Sequence, residues 1–272
     1  MQFSQTRQYL RQLDRDAPFC LAEAALYIAL EEYPDLEIQP YLQRLDAMAE
    51  EVARQLPPDP YPLKILQTID RYLFETLGFY GNERDYYDPR NSFLNEVLDR
   101  RTGIPITLSL VYLEIARRIG FPMTGINFPG HFLIRPDRED MELWVDPFHQ
   151  GEILFPEDCK KRLETIYQQP VELRPEFFEP ISPQQFLVRM LNNLKHIYLN
   201  RGDLHKCLAA SEQILLVDPD AAMERRDRGV LYYQLGRWVE ARQDLEDYLG
   251  KIPQAQDRPL IFQLLERITQ NL

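Results

Sequence analysis

The sequence predicts an α+β fold that is mostly helical, in which a small antiparallel sheet is followed by an array of paired helices. Three observations lead to this prediction. Apolar residues recur at helical spacing through most of the chain, two short runs in its middle have the alternation of strands, and a 34-residue period appears in its last third. The composition agrees, because glycine is scarce (11 residues) and proline is abundant (21 residues), as in helices joined by stiff connectors.

Composition and charge limit the classes of function. The chain has 272 residues, 44% of them hydrophobic and 27% charged, which indicates a globular protein of one large or two to three small domains. Its net charge of −12 repels phosphate groups, so we expect it to bind neither nucleic acid nor anionic membranes. The sequence contains no apolar window long enough to span a bilayer and no apolar run near its start, so neither membrane insertion nor a signal peptide is expected.

The cysteines predict the redox environment of the protein. Cys20, Cys159 and Cys207 lie far apart and form no Cys-x-x-Cys pair. This spacing argues against a disulfide framework and against a zinc knuckle, and it fits a reducing compartment. We therefore expect three buried, unreactive thiols and a cytoplasmic location.

The first third of the chain is predicted to be helical, and it contains no evident chemical motif. Pro40 suits the first turn of a helix, the run PPDPYP (57–62) ends that helix, and Gly78 is a suitable C-terminal cap for the next. We expect residues 1–85 to form a helical segment that packs on the core that follows. Its predicted helices cover residues 3–13, 17–31, 40–56 and 62–78.

The middle third contains the most apolar helix of the chain. A short helix is predicted over 92–101, and Thr102-Gly103 ends it. Pro105 then begins a helix that extends to Ile119 and is apolar on nearly all sides, which is typical of a buried helix. Two arginines in its last turn and the glycine at position 120 mark its end.

Short strand-like runs follow this buried helix. They are MTGINF (123–128), HFLIR (131–135) and ELWVD (142–146). The last two can form an antiparallel hairpin, since both alternate between apolar and polar residues. A small sheet is therefore expected to pack against the buried helix.

The register of the hairpin predicts a chemical pair. Pairing Phe132 with Val145 places the apolar residues of both runs on one face. The same register puts His131 directly opposite Asp146, with Cβ atoms about 4.5–5.5 Å apart. Because a carboxylate orients an imidazole and raises its basicity, His131 is a candidate base and Asp146 is its candidate orienting group.

A third polar residue lies just beyond the hairpin. His149 follows the second run in the sequence DPFHQG, and we expect it to be an exposed loop histidine. Together with His131 and Asp146 it could bind a metal ion. The sequence has no HxH or HExxH spacing to support this, so we predict no metal site and no cofactor.

A buried helix beside a His–Asp hairpin is typical of the papain-like and transglutaminase-like arrangement, in which a nucleophile at the helix N-terminus meets the pair. Three segments carry a closer resemblance: DPRNSFLNEVLDRRTGIPITLSLVYLEIARRIGFP, FPGHFLIR and WVDPFHQG. Through them the sequence resembles, over about residues 15–160, the SirB-like family of the transglutaminase-like superfamily. This resemblance implies a transglutaminase-like core over residues 86–170.

The resemblance also implies a missing nucleophile. In active members a Gly-x-Cys sequence begins the helix, and here Gly103-Ile104-Pro105 occupies that place. Proline has no nucleophilic atom, whereas Thr107 and Ser109 lie within one helical turn. The candidate catalytic residues are therefore His131, Asp146 and Thr107, with the part played by Thr107 unproven.

The last third repeats itself at a period of 34 residues, which is the tetratricopeptide period. It resembles that family in NLKHIYLNRGDLHKCLAASEQILLVDP and RGVLYYQLGRWVEARQDLEDYLGKIP. Gly229 and Ala241 match the small residues at which paired helices touch, but Lys195 and Cys207 stand at these places in the first repeat. A closing helix is expected over 258–272. The repeating pairs are Tyr198 and Tyr232, Gly202 and Gly236, and Pro219 and Pro253.

These features predict three segments and two alternative functions. The segments are 1–85, 86–170 and a tetratricopeptide module at 183–272. The leading hypothesis is a non-catalytic scaffold or regulator that binds a protein or peptide through this module. The alternative is an amide-bond hydrolase or acyl-transferase that uses His131 and Asp146 with a nucleophile other than cysteine.

Overall fold

The computed structural model describes residues 5–13, 19–138 and 140–272. The fold is mostly helical with a small antiparallel sheet, so the predicted α+β class is confirmed. The predicted starts of the first two helices, at residues 3 and 17, lie outside the described residues. The helices are α1 (Gln5–Gln12), α2 (Leu21–Ala29), α3 (Ile38–Gln55), α4 (Pro62–Asp70), α5 (Leu94–Arg100), α6 (Pro105–Arg118), α7 (Pro156–Tyr167), α8 (Pro183–Asn200), α9 (Leu204–Val217), α10 (Ala222–Gln234), α11 (Trp238–Lys251) and α12 (Arg258–Asn271), and the strands are β1 (Tyr80–Gly81), β2 (Thr102–Gly103), β3 (Met123–Ile126), β4 (Leu133–Pro136), β5 (Trp144–Asp146) and β6 (Glu152–Leu154).

The described residues form two compact units. One comprises residues 14–186, and the other comprises residues 1–13 together with 187–272. The boundary between them falls within α8. The division into a helical segment at 1–85, a core at 86–170 and a repeat module at 183–272 stays a prediction. No helix within the described ranges is long and apolar enough to cross a membrane.

Helix α6 is the centre of the unit formed by residues 14–186. Eleven of its 14 residues are buried, as expected from a helix that is apolar on nearly all sides. It contacts helices α2, α3, α4 and α5 as well as strands β3 and β4. Pro105 lies in its first turn, where the missing N–H costs nothing.

Helix α4 does not continue to Gly78 as an α-helix. The α-helical hydrogen bonds stop at Asp70, and residues Arg71–Thr76 form a π-helix. Gly78 then adopts a φ of +73°, which suits a glycine that ends a helical segment. Such π-helical segments occur frequently at functional sites.

The main sheet has the strand order β3-β4-β5-β6, with every neighbouring pair antiparallel. Strand β6 was not predicted from the sequence. One face of the sheet packs on α7 through Leu133, Trp144 and Leu163. A separate parallel pair, β1 and β2, brings Gly81 beside Gly103 at the start of α6.

The predicted register of the hairpin was wrong by two residues. Ile134, not Phe132, pairs with Val145. The reason is that strand alternation has a period of two, so a shift by two residues keeps every side chain on its predicted face. His131 therefore lies on the same face as Asp146, although it precedes β4 and is not directly opposite.

Helices α8 to α12 follow one another through short connections, as expected for a tetratricopeptide array, and α10 packs on both α9 and α11. Gly229 allows α10 to approach α11, because an added Cβ would lie only 2.9 Å from the Leu245 side chain. In the first repeat Lys195 is buried, and its Nζ is 2.5 Å from the buried Glu224 carboxylate and 3.1 Å from Asp227. A buried ion pair thus occupies a place where the second repeat has glycine.

Candidate functional site

Asp146 is at the centre of the candidate site, at the end of β5. Its side chain is fully buried, and Oδ1 accepts hydrogen bonds from the backbone N–H groups of Phe148 (3.0 Å) and His149 (3.3 Å). These bonds cap the short 3₁₀ turn Pro147–His149. Gln150 and Gly151, both with positive φ, then reverse the chain into β6. The turn therefore fixes the carboxylate and places His149 beside it.

The second carboxylate oxygen of Asp146 accepts three side-chain donors. His131 Nε2 is 2.8 Å from Oδ2, His149 Nδ1 is 2.7 Å from it, and the Arg162 guanidinium also binds it. Arg162 extends from α7 and also donates to Glu152 on β6, at 2.6 Å. We call these four residues, His131, Asp146, His149 and Arg162, the Asp146 cluster.

The cluster keeps Asp146 ionised. Burial raises the pKa of its carboxyl, but the hydrogen bonds from His131 and His149 outweigh burial and leave this pKa well below its usual range. The hydrogen bond with Asp146 raises the pKa of His149. Because an ionised carboxylate only accepts hydrogen bonds, His131 donates from Nε2, and its Nδ1 is left to face other groups.

The candidate nucleophiles are not joined to this cluster. The Thr107 hydroxyl accepts from the Ile104 N–H (3.1 Å) and lies 2.7 Å from the Asn91 carbonyl oxygen, to which it donates its proton. Ser109 is buried, and its hydroxyl has no hydrogen-bond partner in the described chain. Across the described residues, no hydrogen bond links either hydroxyl to His131. Thr107 thus caps the start of α6, in agreement with its place at the third helical position.

The same residues can be tested as a metal site. Ligand atoms of His131, Asp146 and His149 all lie within 4.8 Å of one another, and this donor set suits Zn²⁺ or a similar ion. However, the Arg162 cation already binds the Asp146 oxygen that would have to face the ion. Repulsion from this guanidinium opposes a second cation at that place. The residues therefore fit a hydrogen-bonded carboxylate better than a metal centre.

Aromatic rings lead from the cluster towards solvent. The Phe148 ring centroid is 5.2 Å from that of His149 and 6.1 Å from that of Tyr86, which in turn is 5.3 Å from Tyr87. Phe148 can lie here because Gly81 has no side chain, since a Cβ would be 2.6 Å from the Phe148 ring. We call Tyr86, Tyr87 and Phe148 the aromatic surface.

A second carboxyl group lies beneath the same turn. Asp70 is largely buried, its Oδ1 has no hydrogen-bond partner in the described chain, and it lies 2.1 Å from where a Cβ on Gly151 would be. Burial raises the pKa of Asp70 to about 7, and the nearby Tyr112 hydroxyl opposes this shift. A strongly shifted carboxyl beside a polar cluster is a candidate functional group.

Sequence reasoning named three members of the Asp146 cluster, His131, Asp146 and His149, and missed Arg162 and Asp70. His149 was expected to be an exposed loop histidine; it is exposed in the turn after β5, and it also hydrogen bonds to Asp146. The glycine in the run Gln150-Gly151, between two strand-like runs, was a signal for a second hairpin. That hairpin would have pointed to β6 and α7, and so to Arg162. No sequence pattern pointed to Asp70.

The repeat unit contains a separate groove. Side chains of α8, α10 and α12 line a cavity of about 480 Å³. Leu199 and Leu260, 49% and 63% exposed, are among its apolar side chains. The charged residues in its lining pair with one another, since Arg226 binds both Asp227 (2.6 Å) and Asp257 (2.9 Å). The groove is thus an apolar surface with internally compensated charges.

Known proteins resemble the chain along most of its length. The transglutaminase-like superfamily matches residues 39–192, and the tetratricopeptide repeat matches residues 194–266. The UPF0162 protein of Xylella fastidiosa strain 9a5c is 38% identical over 248 residues, which cover 88% of this chain and 86% of that protein. The UPF0162 protein of Pseudomonas aeruginosa is 32% identical, covering 84% of this chain and 83% of that protein.

A more distant relative shares only part of its own length. Human F-box only protein 21 is 31% identical over 188 residues, which cover 65% of this chain and 29% of that protein. No solved structure matches the chain. From the matched families and the two bacterial relatives, the chain belongs to the UPF0162 family of the transglutaminase-like superfamily and carries C-terminal tetratricopeptide repeats.

Proposed function

We propose that this protein is a non-catalytic interaction scaffold whose tetratricopeptide groove binds an apolar segment of a partner protein. Repeats of this kind generally mediate protein interactions, because stacked helices form an extended concave surface. The groove between α8, α10 and α12 is the observation that carries the proposal. Its volume is within the range typical of binding clefts.

The lining of the groove indicates the chemistry of the partner segment. Leu199 and Leu260 expose apolar surface that a partner's apolar side chains would cover. The charges beside them are already neutralised, because Lys195 and Arg226 bind carboxylates of the same unit. The groove therefore offers little to a highly charged ligand and favours an apolar or amphipathic segment.

The transglutaminase-like unit supports the same proposal. Pro105 stands where the resemblance places the nucleophile of active superfamily members, and the Thr107 hydroxyl donates its proton to a backbone carbonyl instead of to His131. The Asp146 cluster is saturated with donors from its own chain. Our proposal is that this unit is a degenerate scaffold, and that the protein acts in the cytoplasm, which its three free cysteines support.

The test is capture of a partner by the full-length chain, followed by binding of that purified partner. A photo-crosslinking residue at Leu199 is expected to capture a partner, and Leu199→Asp with Leu260→Asp is expected to abolish its binding. Val239→Asp is the matched control, because Val239 is 64% exposed on the same unit but does not line the groove. The proposal fails if the groove variant binds every captured partner as well as the control does.

An amide-bond hydrolase or acyl-transferase is the second candidate. The hydrogen bond of 2.8 Å between His131 and Asp146 favours it, because this bond orients an imidazole as a base would need to be oriented. Activity-based probes for amide hydrolysis would be applied to the wild type and to His131→Ala. Turnover that His131→Ala abolishes would support an enzyme, and equal signals from both proteins would contradict one.

A further inference from the structure

The acidity of the chain belongs to one of its two units. Residues 14–186 contain 31 Asp and Glu but only 17 Lys and Arg, a net charge of −14. Residues 1–13 and 187–272 contain 12 Asp and Glu against 14 Lys and Arg, a net charge of +2. A field of this size attracts cationic partners to the transglutaminase-like unit and repels anionic ones.

The aromatic surface is one part of this unit that offers aromatic rings to a partner. Tyr87 is 63% exposed and Tyr86 is 38% exposed, while Phe148 is half-buried against Gly81. The rings contact edge to face, with centroids 5.3 and 6.1 Å apart. Exposure therefore increases along the three rings, from Phe148 to Tyr86 to Tyr87.

The loop that carries the two tyrosines is held in place from below. The fully buried Asn91 donates from Nδ2 to the carbonyl oxygens of Asp85 (2.8 Å) and Tyr86 (3.3 Å). The Asp85 N–H donates in turn to Asn82 Oδ1 at 3.0 Å. A loop that is ordered before binding loses less entropy when a partner binds, so this surface is suited to recognition.

The loop also presents carboxylates beside the rings. Glu83 and Asp85 are exposed, and neither forms an ion pair with a described basic residue. Asp88 differs, because it is buried and paired with Arg90 and Arg100. Arg84 lies between the two exposed carboxylates, so the loop by itself is only mildly acidic. The attraction of a cationic partner therefore also depends on the negative charge of the whole unit.

We propose that the aromatic surface, together with Glu83 and Asp85, binds an arginine- or lysine-rich segment of a partner protein. A guanidinium or ammonium group over a tyrosine ring is attracted by the ring's electron density, and a nearby carboxylate adds to this attraction. A nucleic acid or an acidic peptide would be repelled by the net charge of −14. A purely apolar peptide would gain no binding affinity from the carboxylates.

The test uses the full-length protein and a fluorescent peptide of alternating arginine and glycine. We expect binding by fluorescence anisotropy at low salt, weakening as salt is added, and no binding of a glutamate–glycine peptide. Tyr86→Leu and Tyr87→Leu are each expected to weaken binding roughly two- to fivefold, whereas Tyr87→Phe retains the ring and the affinity. Asp85→Asn should also weaken binding.

Two control variants test whether binding depends on the aromatic surface itself. Tyr61→Leu removes a tyrosine that is 60% exposed on the same unit but makes no ring contact with the aromatic surface, and it should leave binding unchanged. The groove variant Leu199→Asp with Leu260→Asp should also bind the peptide normally. The proposal is overturned if a serine–glycine peptide binds equally well, or if Tyr61→Leu weakens binding as much as Tyr87→Leu.

Discussion

At the scale of single residues, Asp146 is the group on which the candidate site depends. Its buried carboxylate accepts hydrogen bonds from two backbone amides, two imidazoles and one guanidinium. A buried charge is tolerated only when it is paired and hydrogen-bonded, and here both conditions are met. Removing its charge should therefore affect stability more than removing any exposed carboxylate.

Asp146→Asn is expected to lower the free energy of unfolding by about 3 kcal/mol, because it breaks a buried ion pair. This corresponds to a fall in Tm of roughly 6–12 °C. The folded-state pKa of Asp146 lies below its unfolded value of 3.8, so this stabilisation is present above pH 3.8 and is lost as the pH falls through the folded pKa. Thermal unfolding at several pH values would measure it.

The control for this prediction is Asp140→Asn. Asp140 is exposed and pairs with Arg138 at the surface, where ion pairs contribute little. Its variant should keep the wild-type Tm. Equal losses from Asp140→Asn and Asp146→Asn would contradict a special role for the cluster.

The contribution of Asp70 to stability has the opposite dependence on pH. Burial raises its folded-state pKa from 3.8 to about 7, so the folded protein binds more protons than the unfolded chain in this range. The free energy of unfolding should therefore fall as the pH rises from 3.8 to about 7. The fall is at most about 1.4 kcal/mol for each unit by which folding raises the pKa of Asp70. Asp70→Asn should remove this fall, and Tm measured across the range would reveal it. If the Tm of the wild type and of Asp70→Asn changes with pH in parallel, the pKa of Asp70 is not raised in the folded protein.

At the scale of elements, the start of α6 depends on one hydroxyl. Thr107 joins the helix to the segment before it, through Ile104 and Asn91. Thr107→Val is expected to destabilise the fold by about 1–2 kcal/mol, whereas Thr107→Ser keeps the hydroxyl and most of the stability. Urea unfolding would measure both.

Ser109→Ala is the matched control for Thr107. Ser109 is on the same helix and equally buried, but its hydroxyl has no hydrogen-bond partner in the described chain, so its removal should cost little. A Thr107→Val variant that is as stable as the wild type yet loses a measured turnover would instead identify Thr107 as a nucleophile.

The first tetratricopeptide repeat depends on the buried pair of Lys195 and Glu224. Burial lowers the pKa of Lys195, but the hydrogen bond to Glu224 outweighs burial and raises it, so the lysine stays charged. Lys195→Met leaves the Glu224 carboxylate buried without its cation and should destabilise the fold by about 3 kcal/mol. Adding Glu224→Leu should recover part of this loss, and a double-mutant cycle from urea unfolding would measure the coupling. Additive losses would show that the two residues do not interact.

Sequence periodicity predicted the long helices and the first hairpin, but it missed β6 and did not predict how the strands align. Helical spacing identified α6, and the 34-residue period identified the repeats, because both patterns are local and long. The hairpin register failed by two residues since alternation cannot distinguish shifts of that size. The His131–Asp146 contact nevertheless forms, because such a shift preserves the faces of both strands.

At the scale of the whole molecule, contacts between distant segments were beyond sequence reasoning. Arg162 reaches Asp146 only because β6 returns the chain to α7, and Asp70 reaches Gly151 from a helix about 80 residues earlier. Net charge, by contrast, is readable from the sequence alone. Its concentration in residues 14–186 is the basis on which we propose a cationic partner for that unit, separate from the apolar partner proposed for the groove.

The three-residue turn Pro147–His149 has a consequence for genetics. Through Phe148 it belongs to the aromatic surface, and through the N–H groups of Phe148 and His149 it holds Asp146. Substitutions in this turn should therefore be pleiotropic, because they change both the aromatic surface and the support of Asp146. Tyr87 and His131 lie at opposite ends of the ring series. In a screen, alleles of Tyr87 should therefore affect the aromatic surface alone, and alleles of His131 should affect the Asp146 cluster alone.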